Sequence, residues 1–207
     1  MDDLSNWQPK TKIGKRANAK EITDIDELLK SGKPIIEPEV VDLLIPDLKS
    51  ETLSISSTQR VTDSGRKIKF RAIVVVGDGK GRVGIGAGKS EEVKPAIEYA
   101  IRDAKKNLII IEHGCGSWEC RCKEKHSVFQ RTTGKEGSTK ITLYPAPKGV
   151  GLAANEVIKK VLQMAGVKDV WSKTQGNTAN IYNTASATMK ALNNLNRLKP
   201  KKQGEEI

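Results

Sequence analysis

The strongest hydrophobic pattern lies in the first half of the chain. From Arg66 onward, Ile68, Phe70, Ala72, Val74 and Val76 fall on one side of an extended backbone, and Lys67, Lys69 and Arg71 on the other. That period of two marks a strand with one buried face. Residues 51–62 begin a strand pattern, and Asp63-Ser64-Gly65 between the two is a turn signal. After the turn Gly77-Asp78-Gly79-Lys80-Gly81, Val83, Ile85 and Ala87 alternate with Gly84, Gly86 and Gly88. A glycine-lined face predicts that another backbone comes close, and among so many cations we read that backbone as a polynucleotide. Ser90 reads as an N-cap, with Glu91 and Glu92 in the first turn. Val93, Ile97, Ala100, Ile101, Ala104 and Leu108 form a helical stripe, and Pro95 sits near its start, where proline is tolerated. The first module is therefore β-β-β-α.

Residues 113–137 are a connector rich in Gly, Cys and His. Beyond it, Thr139 to Tyr144 alternates as a strand, and Pro145-Ala146-Pro147-Lys148-Gly149-Val150-Gly151 forms a rigid turn. Ala154, Val157, Ile158, Val161, Leu162 and Ala165 mark an amphipathic helix that Gly166 should stop. Val167 to Lys173 reads as a strand, and Ile181, Ala185, Met189 or Thr188, Leu192 and Leu195 mark a last helix. Ahead of both modules, residues 1–46 hold two short amphipathic pieces. One runs Ile22 to Leu29, with Thr23 or Asp24 as cap and Gly32 as stop; the other runs Glu39 to Leu44 and ends before Pro46. Such short helices need a surface to pack on, so this segment should drape over something larger.

Composition narrows the function. The chain has 207 residues, 37% hydrophobic and 29% charged, enough for a real core. The longest apolar runs, Ala72–Val76 and Leu108–Ile111, are far too short to cross a bilayer. Met1-Asp2-Asp3 leads into no apolar stretch of the kind a secretory signal needs. Three cysteines are too few for a disulfide scaffold, so reduced thiols in the cytoplasm are expected. The net charge is +11, unevenly distributed. Residues 1–46 carry 7 basic against 9 acidic residues, whereas residues 138–207 carry 11 against 4. A positive field of this size attracts polyanions, and nucleic acid is the commonest. A membrane surface fits less well, because the cations are scattered over strands and loops and not gathered on one amphipathic helix.

Three constellations carry candidate chemistry. Arg60, Arg66, Lys67, Lys69, Arg71, Lys80, Arg82 and Lys89 surround the first hairpin and the turn after it. Duplex RNA is read through phosphates and 2′-hydroxyls, so cations on a preformed β-β-β-α surface suit it. Glycine loops raise an enzyme alternative. Gly88-Lys89-Ser90 fails as a P-loop because position 83 is Val, and Gly79 to Gly84 opens a strand instead of a helix. Gly149-Val150-Gly151 is the better dinucleotide fingerprint, following a strand, opening a helix and having Asp169 downstream. Two prolines in its turn argue against it, and a phosphate at that helix N-terminus fits better. Finally, His113, Cys115, Cys120, Cys122 and His126 are every His and Cys in the chain, gathered in one stretch. Cys115, Cys120, Cys122 and His126 offer three thiolates and an imidazole, a set that suits tetrahedral structural zinc despite the unusual spacing. A Cys-His nucleophile lacks an evident orienting residue. Trp7, Trp118 and Trp171 are candidates for stacking on bases, with packing favoured for Trp171.

Several segments resemble ribosomal small-subunit protein five. They are Gln59 to Arg66, Val74 to Lys89, Pro145 to Gly151 and Ala165 to Ser172, in the family's order over roughly residues 47–197. Gly114-Cys115-Gly116-Ser117-Trp118-Glu119-Cys120 and the N-terminal arm resemble the archaeal form. The resemblance implies a double-stranded-RNA-binding-like domain, then a C-terminal α/β domain with a left-handed β-α-β crossover where the general rule gives a right-handed one. It implies binding to small-subunit rRNA, contact with small-subunit proteins four and eight, and a role in translational accuracy and where mRNA enters. The family's hairpin tip falls on Thr62 to Lys67, with Asp63-Ser64-Gly65 where the bacterial pattern has a Lys-Gly-Gly type of turn. A neighbour-protein surface falls near Gly134 to Lys140.

Residues and resemblance together predict an α+β protein. A double-stranded-RNA-binding-like β-β-β-α domain (47–112) follows an extended N-terminal arm (1–46). A Cys/His/Gly-rich connector (113–137), a small β-α-β-α domain (138–197) and a basic tail (198–207) complete the chain. The expected rRNA-binding residues are Arg60, Ser64, Gly65, Arg66, Lys67, Lys69, Arg71, Lys80, Arg82, Lys89, Lys148 and Lys173. No catalysis and no required cofactor are expected, with a structural zinc on the cysteine cluster as the one metal. A nucleotide-dependent enzyme built on Gly149 and Gly151, and a free-standing duplex-RNA-binding regulator, are the alternatives.

Overall fold

The computed structural model describes residues 7–22, 24–30, 32, 34–122 and 124–196. Thr23, one of the two proposed caps, and the basic stretch Lys199-Pro200-Lys201-Lys202 lie outside them. The chain divides into two compact units, Met1–Ile110 and Ile111–Ile207.

In the first unit three short helices precede the sheet: α1 (Lys12–Asn18), α2 (Ile25–Lys30) and α3 (Glu39–Leu44). The last two stand where the pattern puts them. The first was not legible, because its sequence KIGKRAN has no apolar stripe; the Thr11 hydroxyl accepts from the Gly14 N–H and starts it. The described part of the arm drapes over the first domain, as its short amphipathic helices require. Ala17, Ile25, Ile35, Val40, Val41 and Ile45 bury one another against Leu108, with Trp7 at the edge. Trp7 is thus a packing residue and not a base-stacking one. Lys105 Nζ reaches Asp42 in α3 at 2.7 Å and adds an ion pair to this docking.

The sheet runs β1 (Lys49–Thr62), β2 (Gly65–Gly77), β3 (Arg82–Ser90) and, after helix α4 (Val93–Lys106), β4 (Leu108–Ile110), in that order and antiparallel throughout. Ser90 belongs to β3, and the residue before α4 is Glu92, which makes no side-chain capping bond. Ala72, Val74 and Val76 pack on Ala96, Ala100 and Ala104 of α4. The glycine face of β3 meets the same helix. A Cβ at Gly84, Gly86 or Gly88 would lie 2.2–2.3 Å from the carbonyl oxygens of Ala104, Ala100 and Ala96. The approaching backbone is therefore α4 and not nucleic acid, and glycine facing alanine lets helix and sheet lie nearly in contact.

The second unit adds two strands to the expected order. β5 (Thr132–Glu136) pairs with β6 (Thr139–Pro145), and β7 (Leu152–Ala153) precedes α5 (Glu156–Ala165), β8 (Val170–Gln175) and α6 (Ile181–Asn196). The sheet order is β5-β6-β8-β7; only β7 and β8 are parallel, so the β-α-β unit is β7-α5-β8. Ile141, Leu143, Ile158, Leu162, Leu192 and Leu195 are buried between sheet and helices. Gly166 ends α5 in the left-handed region (φ +84), as its position suggested. In α6 Thr188 is fully buried, donating to the Thr184 carbonyl, so it faces the core in place of Met189. Gly134 repeats the first unit's device, since its Cβ would lie 2.1 Å from the Ala187 carbonyl of α6. Among the described residues no helix is long and apolar enough to cross a membrane.

Candidate nucleic-acid interface and metal centre

β1 and β2 pair along their whole lengths, from Lys49 opposite Gly77 to Thr62 opposite Gly65. β3 accompanies β2 only from Phe70 to Gly77. The outer half of the hairpin is therefore a two-stranded ribbon with no third strand beside it. Val61 (74% exposed) and Ile68 (53% exposed) lie open on it. This breaks the alternation read along β2. Ile68 is not in the core, and Ile73 and Val75 of the opposite face are buried, so the cationic face ends at Arg71. An isolated two-stranded ribbon is marginal in water, which suits a segment completed by a partner.

Cations gather on this ribbon in an unfavourable order. Arg60 stands opposite Lys67 on the ribbon, and at its base, where β3 joins, Arg71 stands opposite Lys89. Like charges directly across a strand pair repel, and a polyanion relieves them. Arg60, Lys67, Lys69 and Lys89 line one groove of about 630 Å³ with Thr58, Gln59 and Thr62. Lys67 Nζ lies 2.7 Å from a Glu91 carboxylate oxygen, both side chains mostly exposed. That lysine holds the Glu91 carboxyl below the usual carboxylate range. So open a pair is easily exchanged for a phosphate. Arg66 is exposed opposite Val61, and Ser64 and Gly65 form the tip, where the Thr62 hydroxyl donates to the Gly65 carbonyl at 2.8 Å.

Two expected contacts fall elsewhere. Lys80 is exposed in the turn at the other end of β2, away from the ribbon tip. Arg82 is half-buried and engaged internally, with Nε 2.7 Å from Asp26 of α2 and a terminal nitrogen 3.2 Å from Asp78. The Asp26 hydrogen bond is the main cause that raises its already high pKa. Arg82 is better read as the tie between the helical segment and the β2–β3 turn. Asp78 also accepts from the Lys80 and Arg82 N–H groups at 2.7 and 3.1 Å, which shapes that glycine turn without any ligand.

In the second unit the cysteine loop is closed by a β-bridge. Gly114 and Ser127 exchange two backbone hydrogen bonds of 2.8 Å, which sets Cys115 beside His126. The donor atoms of Cys115, Cys120, Cys122 and His126 all lie within 4.8 Å of one another. Cys120 and Cys122 Sγ are 2.9 Å apart, Cys122 and Cys115 Sγ 3.5 Å, and His126 Nε2 lies 3.1 Å from Cys122 Sγ. Sulfurs at about 2.3 Å from one tetrahedral zinc would stand about 3.8 Å apart, so small outward shifts of these atoms would accommodate the ion. The three cysteines form no disulfide. Burial pushes the Cys115 thiol up to about 11, while the Cys122 thiol and the backbone N–H of Lys148 pull Cys120 down to about 6.

Behind the cluster, Asp169 Oδ2 accepts from His126 Nδ1 at 2.8 Å, both side chains buried. The carboxylate fixes the tautomer that turns Nε2 toward the sulfurs. Asp169 Oδ1 accepts from the Gly149 and Gly151 N–H groups at 3.1 and 2.8 Å. Sequence reasoning missed this role and met Asp169 only as the downstream acid of a dinucleotide fingerprint it set aside. No sequence signal ties it to a histidine 43 positions away. The dinucleotide alternative loses its basis here. The glycine N–H groups a phosphate needs are occupied, and β7 separates the turn from α5, which begins at Glu156. The same geometry removes the expected phosphate at that helix N-terminus.

The remaining expected cations of this unit are both exposed. Lys148 pairs with Glu124 at 2.7 Å, and Lys173 stands on the sheet face away from the helices, opposite Thr142. That face also carries Lys135, Lys140, Trp171 (39% exposed) and Tyr144, over whose ring Arg131 sits at 5.1 Å. Trp171 is thus more open than a packing role implies, and Trp118, in the cysteine loop, is 90% exposed.

Comparison with known proteins decides the family. Family models for the N-terminal and C-terminal domains of ribosomal protein S5 match residues 48–112 and 134–205. This chain belongs to the ribosomal protein S5 family. The small ribosomal subunit protein uS5 of Methanocaldococcus jannaschii is 53% identical over 194 residues, covering 94% of this chain and 89% of that protein. The uS5 of Methanospirillum hungatei is 51% identical over 197 residues, covering 95% and 96%. That of Haloarcula marismortui is 48% identical over 194 residues, covering 94% and 92%. These relatives match the archaeal form that the cysteine loop suggested. S5 proteins are structural components and not enzymes, in keeping with the loss of the nucleotide-binding geometry.

Proposed function

We propose that this chain is a structural constituent of the small ribosomal subunit, cytoplasmic and non-catalytic, that binds small-subunit rRNA through its projecting hairpin. The observation that carries this is the ribbon itself: two strands without a third, with Arg60 opposite Lys67 on its exposed length. Exposed cations on a projecting ribbon, one of them in an open pair with Glu91, suit exchange onto a phosphate backbone. Ser64, Gly65, Arg66 and Lys69 complete the contact, and Lys80, Lys89, Lys148 and Lys173 supply further cations. Arg82 is left out because its partners are internal.

Family membership supports the finer reading: contact with small-subunit proteins four and eight, near Gly134 to Lys140, and support of translational accuracy and of mRNA where it enters. Gly134 itself is covered by α6, so the exposed Lys135 and Lys140 are the residues of that surface able to reach a neighbour. Cys115, Cys120, Cys122 and His126 hold one structural zinc ion in this reading, which their compact donor set supports. The test is co-sedimentation. Tagged protein should remain with small subunits through a high-salt wash, and crosslinks from the ribbon should map to small-subunit rRNA. Release into the wash with retained duplex-RNA binding would favour a free-standing regulator instead.

A further inference from the structure

We propose that the zinc site is a clasp for the Lys148–Gly151 turn, so that metal occupancy sets the order of that turn. This rests on the zinc reading above and adds a consequence to it. Three contacts run from the metal loop and its supporting carboxylate to this turn. His126 reaches Asp169 at 2.8 Å, and the other oxygen of that carboxylate accepts from Gly149 and Gly151. Glu124, between two ligands of the set, pairs with Lys148 Nζ at 2.7 Å.

Besides these, the Gly151 carbonyl accepts from the Val170 N–H at 3.2 Å and the Pro147 carbonyl from the Val150 N–H at 3.5 Å. Gly149 and Gly151 both adopt positive φ (+94 and +73), and a Cβ on either would meet nothing within 4 Å. The acceptor for both glycine N–H groups is the carboxylate behind the ligand set. A zinc ion on Nε2 fixes the plane of the imidazole, and with it the direction in which Nδ1–H holds Asp169. Linkage makes the coupling reciprocal: if zinc orders the turn, a disordered turn must weaken zinc.

The test uses the full chain. Zinc is first measured by elemental analysis of purified protein; one ion per chain is expected, and none in Cys120→Ser. Amide exchange at Gly149 and Gly151 is then followed by NMR in zinc-loaded and chelator-stripped protein, with Val75 of the first unit as reference. Exchange at both glycines should quicken at least tenfold on stripping while Val75 is unchanged. Absence of zinc binding overturns the metal reading and the clasp with it. Bound zinc with glycine exchange indifferent to stripping overturns the clasp and leaves the metal reading intact. Should stripping unfold the whole second unit, the Gly149→Ala/Gly151→Ala variant decides, since it strains the turn without touching a ligand. At least fivefold weaker zinc retention against a competing chelator supports the clasp, and equal retention overturns it.

Discussion

Gly86 shows at single-residue scale how a correct pattern acquires a wrong partner. The alternation of Gly84, Gly86 and Gly88 said that a backbone comes close, and one does. The strand sequence could not say which backbone, because that depends on where α4 lands. The complementary signal was present in the helix: Ala96, Ala100 and Ala104 at a spacing of four match the glycine spacing of two across a packed pair. Gly86→Ala would press a methyl onto the Ala100 carbonyl and the Ala104 nitrogen. Overpacking against backbone costs about 1–3 kcal/mol, so the urea midpoint should fall while the folded protein's affinity for rRNA stays as it was. Arg60→Glu should do the reverse. It places a carboxylate opposite Lys67, exchanging repulsion for attraction. Thermal unfolding should not shift downward, and rRNA binding should weaken.

At the scale of elements, the patterned segments were legible and the shortest strands were not. β2, β3, α4, β6, α5 and α6 all stand near their expected positions. β7 has two residues and β4 three, too few for any period to show. β5 reads TTGKE, whose buried positions are a threonine and a glycine, so it carries no apolar alternation. The gathering of Cys115, Cys120, Cys122 and His126 was readable from the sequence, because every Cys and His of the chain falls in one stretch. Asp169 was not readable as its support, since 43 positions separate it from His126. The ribbon yields the element-scale prediction. Deleting residues 59–68 and joining Thr58 to Lys69 through Asn-Gly shortens the hairpin by a segment that buries almost nothing. Circular dichroism should report the same fold and nearly the same melting temperature, and most of the salt-sensitive RNA affinity should be gone.

For the whole molecule, the +11 charge gives attraction to any polyanion, while the ribbon gives it a place to act. Separating the two requires a measurement in which total charge and local geometry have different effects. Binding to a small-subunit rRNA fragment, titrated against salt, does this for the natural chain, for Lys67→Ala/Lys69→Ala and for a control with two exposed lysines replaced elsewhere, Lys94→Ala/Lys159→Ala. Removing one lysine–phosphate pairing should flatten the log–log salt slope by about 1. The account predicts a slope reduced by about 2 and at least tenfold weaker binding at fixed salt for the ribbon variant, with the control close to the natural protein. Equal weakening in both variants would mean that net charge alone does the binding, and would contradict the assignment of the hairpin as the rRNA contact.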